Sequence, residues 1–454
     1  MRGLSVSDAA AIVGGELHGS DNSDSEILGV AIDSRKVEAG FMFAALKGER
    51  VDGHDYMNKA FELGAACCIA ERVPENVTGT VIVVPNVAAA LKTLAEHYRK
   101  RFDIPVIGIA GSVGKTTAKE MVASVLSRKY NVLKTEKNLN NELGVPLTIF
   151  RIEPEHEVAV IEMGISGFGE MTALARIAQP TVAVFTVIGH AHLEFLHDLE
   201  GVFRAKTEML AFMPEYGTVI YNGDDAMLRK LACPQRLVSY GLGEDCAVRA
   251  ADIEQLPDGR IRCRISYNGR SIKAEIPAYG QHMVYAALEG AAVGIEYGLT
   301  DDEIIRGIAA YQPVGSRANV VRTARYTVID DCYNANPDST AAALRSMATL
   351  PAGRRVAILG NMGELGPDAA ALHRETGVCA AKAGVSLVIT CGDLAREIAA
   401  GAAEADPSVQ TASFAALDEL LASLPELVRP GDCVLVKASH SMAFERIVQA
   451  LTQN

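Results

Sequence analysis

The sequence predicts an α/β protein of three domains, each built on a mainly parallel sheet. Short apolar runs alternate with segments of helical periodicity along nearly the whole chain, which is typical of parallel strands joined by helices. Polar and glycine-rich segments follow the strands, where sheets of this class bind ligands. The length of 454 residues fits about three domains, and 49% apolar residues suffice for large cores. We expect the domains at residues 1–84, 85–313 and 314–454.

Composition and charge exclude several classes of protein. The net charge of −13 argues against non-specific nucleic-acid binding, which needs a basic surface to neutralise phosphates. The nine cysteines are odd in number and contain no C-x-x-C pair, so we expect reduced thiols in a cytoplasmic protein. The N-terminus lacks an apolar signal region, and no apolar run is long enough to span a membrane. We expect a monomer without a nucleic-acid partner.

Residues 1–84 predict a small α/β domain in which polar side chains follow the strands. Four apolar runs have the length of buried strands, namely Gly29–Asp33, Phe41–Leu46, Ala66–Ala70 and Val81–Val84. Because loops at strand ends carry ligands, the polar residues there are candidates for substrate binding. Asp, Ser and Gly also favour turns, so turn formation alone remains an alternative. The candidates are Ser34, Arg35, Lys47, Gly48, Asp52, Gly53 and His54.

The strongest local signal is a phosphate-binding loop between a strand at 106–110 and a helix at 117–129. Glycines at 111 and 114 allow backbone N–H groups to turn toward phosphate oxygens, and the helix N-terminus adds positive potential. Lys115 would reach the outer phosphates, and the Thr116 hydroxyl can bind Mg²⁺. The full eight-residue signature is absent, because Ile109 occupies its first glycine position. An ordinary strand-to-helix turn is the alternative. The loop predicts a P-loop-type central domain.

Further polar residues follow the other central strands. Glu162 ends a buried strand, and His192 lies just beyond the strand at 182–188. Carboxylate and imidazole groups at one sheet edge are suitable partners for a divalent cation held by nucleotide phosphates. A helix cap for Glu162 and a turn histidine for His192 are the alternatives. The loop at 138–146 adds the ligand-facing candidates Asn138 and Asn141, which also suit turns.

The last third of the chain predicts a second doubly wound parallel sheet. Its strands alternate with helices and end in polar segments, the first of which contains Asp331, Asn334 and Asn336. A hairpin signal within residues 245–276, where Cys263, Ile265 and Tyr267 alternate with polar residues, separates it from the central strands. The region carries no G-x-G-x-x-G after its first strand, which argues against a dinucleotide cofactor. We expect a C-terminal Rossmann-like domain.

A series of short motifs runs along essentially the whole chain: Gly111-Ser-Val-Gly-Lys-Thr-Thr117, Glu162-Met-Gly164, Ala191-His192-Leu-Glu194, Ala205-Lys206, Gly280-x-His282, Arg317 and Asp331. In their order, these motifs resemble the Mur ligases, the ATP-dependent amide-forming enzymes of peptidoglycan synthesis. Three further stretches look specific for one family member: Asn138–Leu147, Asp330–Pro337 and Leu359–Gly366.

The resemblance implies that D-alanyl-D-alanine is joined to UDP-N-acetylmuramoyl-tripeptide through an acyl phosphate, in the last cytoplasmic peptide-addition step of peptidoglycan precursor synthesis. It implies ATP and Mg²⁺ as cofactors. By the same resemblance, Lys115, Glu162, His192 and Lys206 are catalytic, and Thr116, Glu162, His192 and a carbamylated Lys206 hold metal. The implied ATP-binding residues are Gly111, Ser112, Val113, Gly114, Lys115, Thr116, Thr117, His282, Arg317, Asp331, Asn334 and Asn336.

The chain departs from the family pattern at six positions, and two other functions compete with the implied one. Met283 and Ala286 replace asparagines that would contact adenine, and His440 replaces an arginine; the others are Ala110, Val187 and His190. A folate-polyglutamate ligase shares the central core, but the N-terminal Asp33-Ser34-Arg35 unit argues against it. A nucleotide-binding switch is the alternative from a different class. For Lys206, a lysine stem lying on apolar surface with its amine in water is the competing interpretation.

Overall fold

Three separate sheets of five, nine and six strands organise the computed structural model, which describes residues 1–19, 22–48, 50–256 and 259–453. Most neighbouring strands in all three sheets run parallel, and helices join them. The predicted three-domain α/β fold is therefore confirmed. All nine cysteines carry free thiols. None of the described helices combines the length and apolar character that a membrane crossing requires.

The N-terminal sheet has the strand order β1-β5-β4-β3-β2, with β1 antiparallel to β5 and the other pairs parallel. In the sequence, Ser7 and Asp8 predict a cap for a helix from Ala9 to Val13, but Ser5 forms the capping box with Asp8, and the helix begins three residues earlier, at Val6. The elements are α1 Val6–Val13, β1 Glu16–His18, β2 Gly29–Ala31, β3 Phe41–Ala44, α2 Met57–Glu62, β4 Cys67–Ala70 and β5 Val81–Val83.

A linking helix, α3 Val87–Arg99, fastens the first sheet to the second. Its buried face belongs to an apolar cluster that contains side chains from both sides. The hydroxyl of the fully buried Tyr98 donates to the carbonyl of Ile152 at 2.8 Å and accepts from the N–H of Arg2 at 3.0 Å. The N-terminal unit is thus tied to the central one by packing and by polar contacts.

The central sheet runs β14-β13-β12-β11-β10-β9-β6-β8-β7 and is parallel from β7 to β12. Its first strand, β6, has β8 on one side and β9 on the other, so the strand order reverses there. Crevices at such reversal points bind ligands. The elements are β6 Val106–Ala110, α4 Lys115–Leu126, β7 Val132–Lys134, α5 Gly144–Ile149, β8 Val158–Glu162, α6 Glu170–Ala178, β9 Val182–Phe185, α7 Leu193–Leu196, α8 Leu199–Thr207, β10 Thr218–Asn222, β11 Arg236–Gly241, β12 Val248–Gln255, β13 Ile261–Tyr267, β14 Arg270–Ile276, α9 His282–Glu296 and α10 Asp301–Ala309.

The C-terminal sheet has the order β15-β16-β20-β17-β18-β19, with β15 antiparallel at one edge. Helix α11 follows the polar end of β16, and a loop after β17 leads to α12. The elements are β15 Asn319–Arg322, β16 Thr327–Asp330, α11 Pro337–Ala348, β17 Arg354–Gly360, α12 Ala369–Lys382, β18 Leu387–Cys391, α13 Ala395–Ala405, β19 Gln410–Phe414, α14 Leu417–Leu427, β20 Asp432–Lys437 and α15 Glu445–Thr452.

Two features differ from the sequence prediction. The sequence pattern did not indicate several short strands, among them β1 and β19, because their exposed edge positions carry few apolar side chains. The sequence pattern at 199–212 predicts one helix, but α8 ends at Thr207 and the chain continues as a 3₁₀ turn, Glu208–Phe212. There the Glu208 carboxylate turns toward α6 and accepts N–H bonds from Gly169 and Thr172.

Candidate functional site

The segment between β6 and α4 has the backbone that a phosphate-binding loop needs. Gly111 and Gly114 adopt φ angles of 152° and 86°, which favour glycine. A Cβ on Gly111 would lie only 1.9 Å from the Thr186 hydroxyl oxygen, so this position has no room for a side chain. Gly114 then starts α4 without a side-chain cap, which leaves the first helical N–H groups available to an anion.

The loop rests on the segment that follows β9. The N–H of Ser112 donates to the carbonyl of Val187 at 2.8 Å, and the N–H of Gly189 donates to the Ser112 hydroxyl at 3.0 Å. The Thr186 hydroxyl donates to the carbonyl of Val113 at 2.5 Å. These hydrogen bonds hold the phosphate loop against the segment that follows β9 and stabilise the conformation of the loop.

Lys115 folds over its own loop. Its Nζ donates to the carbonyls of Gly111 at 2.9 Å and Ser112 at 3.5 Å. Burial lowers the pKa of Lys115, which the carboxylate of Glu162 opposes. Neutral carbonyls leave the charge of this ammonium without a counter-ion, and an anionic phosphate would supply one.

The fully buried Glu162, the last residue of β8, forms a polar centre beside the loop. Its Oε1 accepts from the Thr116 hydroxyl at 3.0 Å and from the Asn140 amide at 2.7 Å. Its Oε2 is buried and has no hydrogen-bond partner, although the ammonium of Lys119 lies 3.7 Å away. A buried carboxylate oxygen without a hydrogen bond suits a divalent cation, which takes oxygen ligands. No cluster of three or more His, Cys, Asp or Glu side chains with metal-binding geometry occurs in the described ranges.

Lys119 and Asn140 are site residues that the sequence prediction missed. Lys119 is fully buried and pairs with Glu120 at 3.0 Å as well as with Glu162. Its spacing of four from Lys115 places both lysines on the same face of α4, which was the available signal. Asn140 lies between the two predicted asparagines, and nothing in the residue types distinguished the three.

His192 and Lys206 lie close enough to influence each other electrostatically. His192 has a φ of 58°, and its Nδ1 pairs with the carboxylate of Glu364 from the C-terminal domain. Burial lowers the pKa of His192, and the charges of Lys206 and Lys115 lower it further. Lys206 is 1% exposed and makes no hydrogen bond or ion pair with any described residue. Burial holds its pKa well below the ordinary lysine value, and the charge of Lys115 adds to this effect.

The C-terminal candidates gather at the end of β16. Asp331 accepts from the buried ammonium of Lys437 at 2.7 Å and from the N–H of Ala318 at 3.1 Å. Asn336 caps α11 by accepting from the N–H of Ser339 at 2.8 Å, and Asn334 accepts from the next N–H along the chain. Asp331 is therefore held in place by a cation, while both asparagines already have local backbone partners.

A cavity of about 220 Å³ lies between the central and C-terminal domains next to the phosphate loop. Met283, Tyr311 and Arg317 line it, and the Tyr311 hydroxyl also bonds to Thr117 of the loop. The Arg317 guanidinium stacks 4.0 Å above the Tyr333 ring. The neighbouring His282 starts α9, and burial lowers its pKa.

Four of the six departures from the family pattern lie at this interface. Met283 lines the cavity, and Ala286 is buried one helical turn further along α9. His190 pairs with Asp338, and the ring of His440 stacks 5.3 Å from Tyr333. Ala110 and Val187 are backbone partners whose side chains make no polar contact.

The N-terminal candidates form a separate group of turns. The Asp52 carboxylate accepts from the backbone N–H of His54 and pairs with its ring Nδ1, and the ring Nε2 of His54 accepts from the N–H of Glu71. The His54 residue is buried, at 2% exposure. Arg35 pairs with Asp33 and is 87% exposed in its side chain. Ser34 lies in the same 3₁₀ turn, Lys47 and Gly48 lie in the turn closed by the Lys47–Asp52 bridge, and the N–H of Gly53 just after it donates to the carbonyl of Leu46. In the part of the chain that the structure covers, none of these side chains bonds to the phosphate loop.

The asparagine loop lies between β7 and α5. Asn141 accepts from the N–H groups of Leu143 and Gly144, and Asn138 is exposed. Of the three asparagines, only the unpredicted Asn140 bonds to the polar centre at Glu162. The structure thus brings together the phosphate loop, Glu162, His192, Lys206 and the C-terminal group, while Asn138 and Asn141 lie beside them.

Three family profiles cover most of the chain. The Mur ligase family catalytic domain matches residues 26–107, the Mur ligase middle domain matches 109–294, and the Mur ligase glutamate ligase domain matches 316–440. The border between the first two matches lies within β6, the first strand of the central sheet, and the second border lies between the central and C-terminal sheets.

Individual relatives match over nearly the full length. The UDP-N-acetylmuramoyl-tripeptide–D-alanyl-D-alanine ligase of Bacillus subtilis strain 168 is 35% identical over 99% of this chain and 98% of its own. A crystal structure of MurF from Acinetobacter baumannii superposes with a TM-score of 0.90 at 30% identity, covering 99% of both chains. MurF ligase from Thermotoga maritima in complex with ADP has a TM-score of 0.82 at 28% identity, covering 93% of this chain and 97% of that one.

Proposed function

Because the chain belongs to the Mur ligase family, we propose that it joins D-alanyl-D-alanine to UDP-N-acetylmuramoyl-tripeptide at the expense of ATP. The single observation that carries this proposal is the end-to-end match to a ligase with that name. The buried Glu162 beside an intact phosphate loop supports the ATP-dependent part. The product would be a UDP-linked pentapeptide.

A carboxylate and an amine do not condense in water, so the carboxylate must first receive a leaving group. The tripeptide carboxylate attacks the γ-phosphorus of ATP, the bond from that phosphorus to the bridging oxygen breaks, and ADP leaves as the acyl phosphate forms. The dipeptide amine then attacks the acyl carbon, the bond from that carbon to the phosphate oxygen breaks, and inorganic phosphate and one amine proton are released. Both steps concentrate negative charge, so positioning and nearby cations supply most of the catalysis.

The residues of this chain divide that work. The phosphate loop binds the β- and γ-phosphates through backbone N–H groups. Lys115 gives up its hydrogen bonds to the loop carbonyls, and its ammonium neutralises phosphate charge. Arg317 would act at the γ-phosphate from the C-terminal domain, while Asp331 would hold the ribose. Both residues border the cavity or the strand end beside it. His282, Asn334 and Asn336 would complete the nucleotide site.

The donor set around Glu162 fits Mg²⁺. Thr116 supplies a hydroxyl oxygen and Glu162 a buried carboxylate oxygen without a hydrogen bond, both hard ligands. Bound there, Mg²⁺ would neutralise phosphate charge as the acyl phosphate forms. We assign Thr116 and Glu162 to one ion, and His192, Glu162 and Lys206 to a second.

Lys206 would join that second site as a carbamate. A neutral amine adds to CO₂, the new N–C bond forms and one proton is released, which leaves an anionic oxygen donor. Its burial and its lack of a partner both favour the neutral amine that this reaction needs. A negative carbamate would also reverse the influence of Lys206 on His192, from lowering its pKa to raising it.

The three domains would share the substrates. Residues 1–84 would bind the UDP-sugar-peptide through Ser34, Arg35, Lys47 and the turn at 52–54, with Asn138 and Asn141 contributing from the central domain. Residues 85–313 would bind ATP, and residues 314–454 would close over it. We propose a monomer that works in the cytoplasm, where ATP is available, without a nucleic-acid partner.

Phosphate release measured with substrates added one at a time tests the proposal. We expect phosphate only when ATP, UDP-N-acetylmuramoyl-tripeptide and D-alanyl-D-alanine are all present, together with a product heavier by one dipeptide. A panel of other amines, including glutamate with a folate acceptor, should give no product. Hydrolysis that depends on neither substrate would indicate a nucleotide switch and would contradict the proposal.

A further inference from the structure

A loop of the C-terminal domain contacts the segment at residues 192–194, which contains His192. The loop, Gly363–Gly366, follows β17 and meets the central domain at residues 192–194. The Glu364 carboxylate pairs with His192 Nδ1, and the carbonyl of Glu364 accepts from the N–H of Glu194 at 3.1 Å. Side chain and backbone of one residue therefore hold the same short segment.

Both partners have left-handed backbones at this contact. His192 has a φ of 58° and Glu364 a φ of 60°, a region that residues other than glycine seldom occupy. Such conformations persist where surrounding contacts enforce them, and they cluster at functional sites. Here the contacts come from the opposite domain in each case.

Because Glu364 pairs with Nδ1 of the His192 imidazole, it determines the protonation state of the other ring nitrogen, Nε2. An ionised carboxylate only accepts, so the pair places the proton on Nδ1 and the free lone pair on Nε2. A histidine that binds a metal through one nitrogen usually donates the other N–H to a carboxylate, which fixes the ring orientation and strengthens the ligand. The contact thus prepares His192 for a cation.

We propose that Glu364 is a positioning residue through which the C-terminal domain prepares His192 for metal binding, so that the second metal site is completed only when that domain is closed. This inference rests on the proposed function. It goes further by naming the residue that links closure to the metal ligand. Glu364 touches neither nucleotide nor metal in this role.

A second contact between the two domains, formed by Asp338 and His190, links the C-terminal domain to the phosphate loop. Asp338, at the start of α11, accepts from the N–H of His190 at 2.5 Å and lies 3.1 Å from its Nδ1. Asp338 also packs so closely on Gly189 that a Cβ there would lie 2.5 Å from its carboxylate. Gly189 in turn bonds to Ser112 of the phosphate loop. The Glu364 contact thus reaches the proposed metal ligand His192, and the Asp338 contact reaches the phosphate loop through Gly189.

The test uses the full-length protein with Mn²⁺ as the probe, a non-hydrolysable ATP analogue, and electron paramagnetic resonance to count free Mn²⁺. We expect Glu364→Ala to weaken Mn²⁺ binding about 10- to 100-fold. Glu364→Gln should keep most of the affinity, because its amide oxygen accepts the same hydrogen bond. The matched control is Glu375→Ala, which removes an exposed carboxylate of the same domain that has no partner among the described residues.

A double-mutant cycle separates positioning from general loss of structure. In a His192→Ala background, Glu364→Ala should cause no further loss of Mn²⁺ affinity, because the residue through which it acts is gone. Additive losses, or a Glu364→Ala affinity within a factor of about two of wild type, would overturn the inference. Failure of the proposed function gives a different result. Wild-type protein that binds Mn²⁺ through His192 but does not ligate would refute the proposed function and would leave the positioning role of Glu364 standing.

Discussion

At the scale of single residues, the three lysines of the site differ in what surrounds each amine. Lys115 donates to loop carbonyls, Lys119 pairs with two carboxylates, and the buried amine of Lys206 has no hydrogen-bond or ion-pair partner among the described residues. All three are lysines within the same site, and their charge states follow from what surrounds each amine. Residue type alone does not distinguish them.

Replacing Lys115 by alanine should reduce ligation by about 100-fold or more, because a charge that meets the transferring phosphoryl group is lost. The melting temperature should stay near that of wild type, since this side chain contributes little packing. Steady-state phosphate release measures the effect. Lys100→Ala, which breaks an exposed ion pair with Glu96, is the control and should leave the rate unchanged. A Lys115→Ala rate within about threefold of wild type would rule out the loop as the ATP site.

Replacing Lys206 by methionine keeps the apolar stem and removes the amine, so no carbamate can form. We expect ligation to fall by about 100-fold or more, as for loss of a metal ligand. Wild-type activity should also fall in buffers depleted of CO₂ and recover with bicarbonate, while the variant stays insensitive. Carbon-13-labelled bicarbonate should give a carbamate NMR signal in wild type alone. Near-normal turnover of Lys206→Met would refute the assignment.

At the scale of elements, the site sits where strands and helices end. Gly114 opens α4, Glu162 closes β8 and Asn336 caps α11. Behind them, α9 packs its buried Glu289 against β11, where the Tyr240 hydroxyl donates to its Oε1 at 2.6 Å. The same hydroxyl also lies within 3.0 Å of the carbonyl of Phe185 at the end of β9. This buried contact supports the sheet directly beneath the phosphate loop.

The Glu289 contact predicts a pH dependence of stability. Burial raises the pKa of Glu289 to about 8, from 4.5 for an exposed glutamate. Between these values the folded chain binds a proton that the unfolded chain releases, so this contribution is full below about pH 4.5 and is lost as the pH rises through about 8. Glu289→Gln stays neutral, so its melting temperature should fall less than that of wild type across this window. The exposed Glu375→Gln is the control, and parallel curves for wild type and Glu289→Gln would contradict the prediction.

At the scale of the whole molecule, the C-terminal domain is held against the central domain by polar contacts and by apolar packing. Met362 and Leu365 of the loop after β17 belong to the same buried cluster as Leu193 and Leu196 of α7. The polar contacts of Glu364 with His192 and of Asp338 with His190 link the same two domains. The domain contact therefore buries apolar surface next to the pair formed by Glu364 and His192.

Shortening Leu365 to alanine should open the molecule. Leu365 is 2% exposed at the domain interface, and such truncations cost about 2–5 kcal/mol of packing. We expect a larger radius of gyration by small-angle X-ray scattering and slower ligation. Leu344→Ala removes an equally buried side chain from the C-terminal domain's own core, so it should lower the melting temperature without changing the radius. Equal radii for both variants would argue against apolar closure.

The sequence by itself determined the α/β class, the three-domain order and most strands, because buried parallel strands need continuous apolar runs and their polar ends mark the ligand edge. It also predicted the phosphate loop, since glycine spacing and the following lysine and threonine are local features. Only the tertiary structure decided which polar residues meet. Glu364 lies 172 positions from His192 in the chain, and Asn140 was indistinguishable from its neighbours until the fold placed it on Glu162. The charge state of Lys206 was likewise undecided, because a pKa depends on burial and on charges brought together from distant segments.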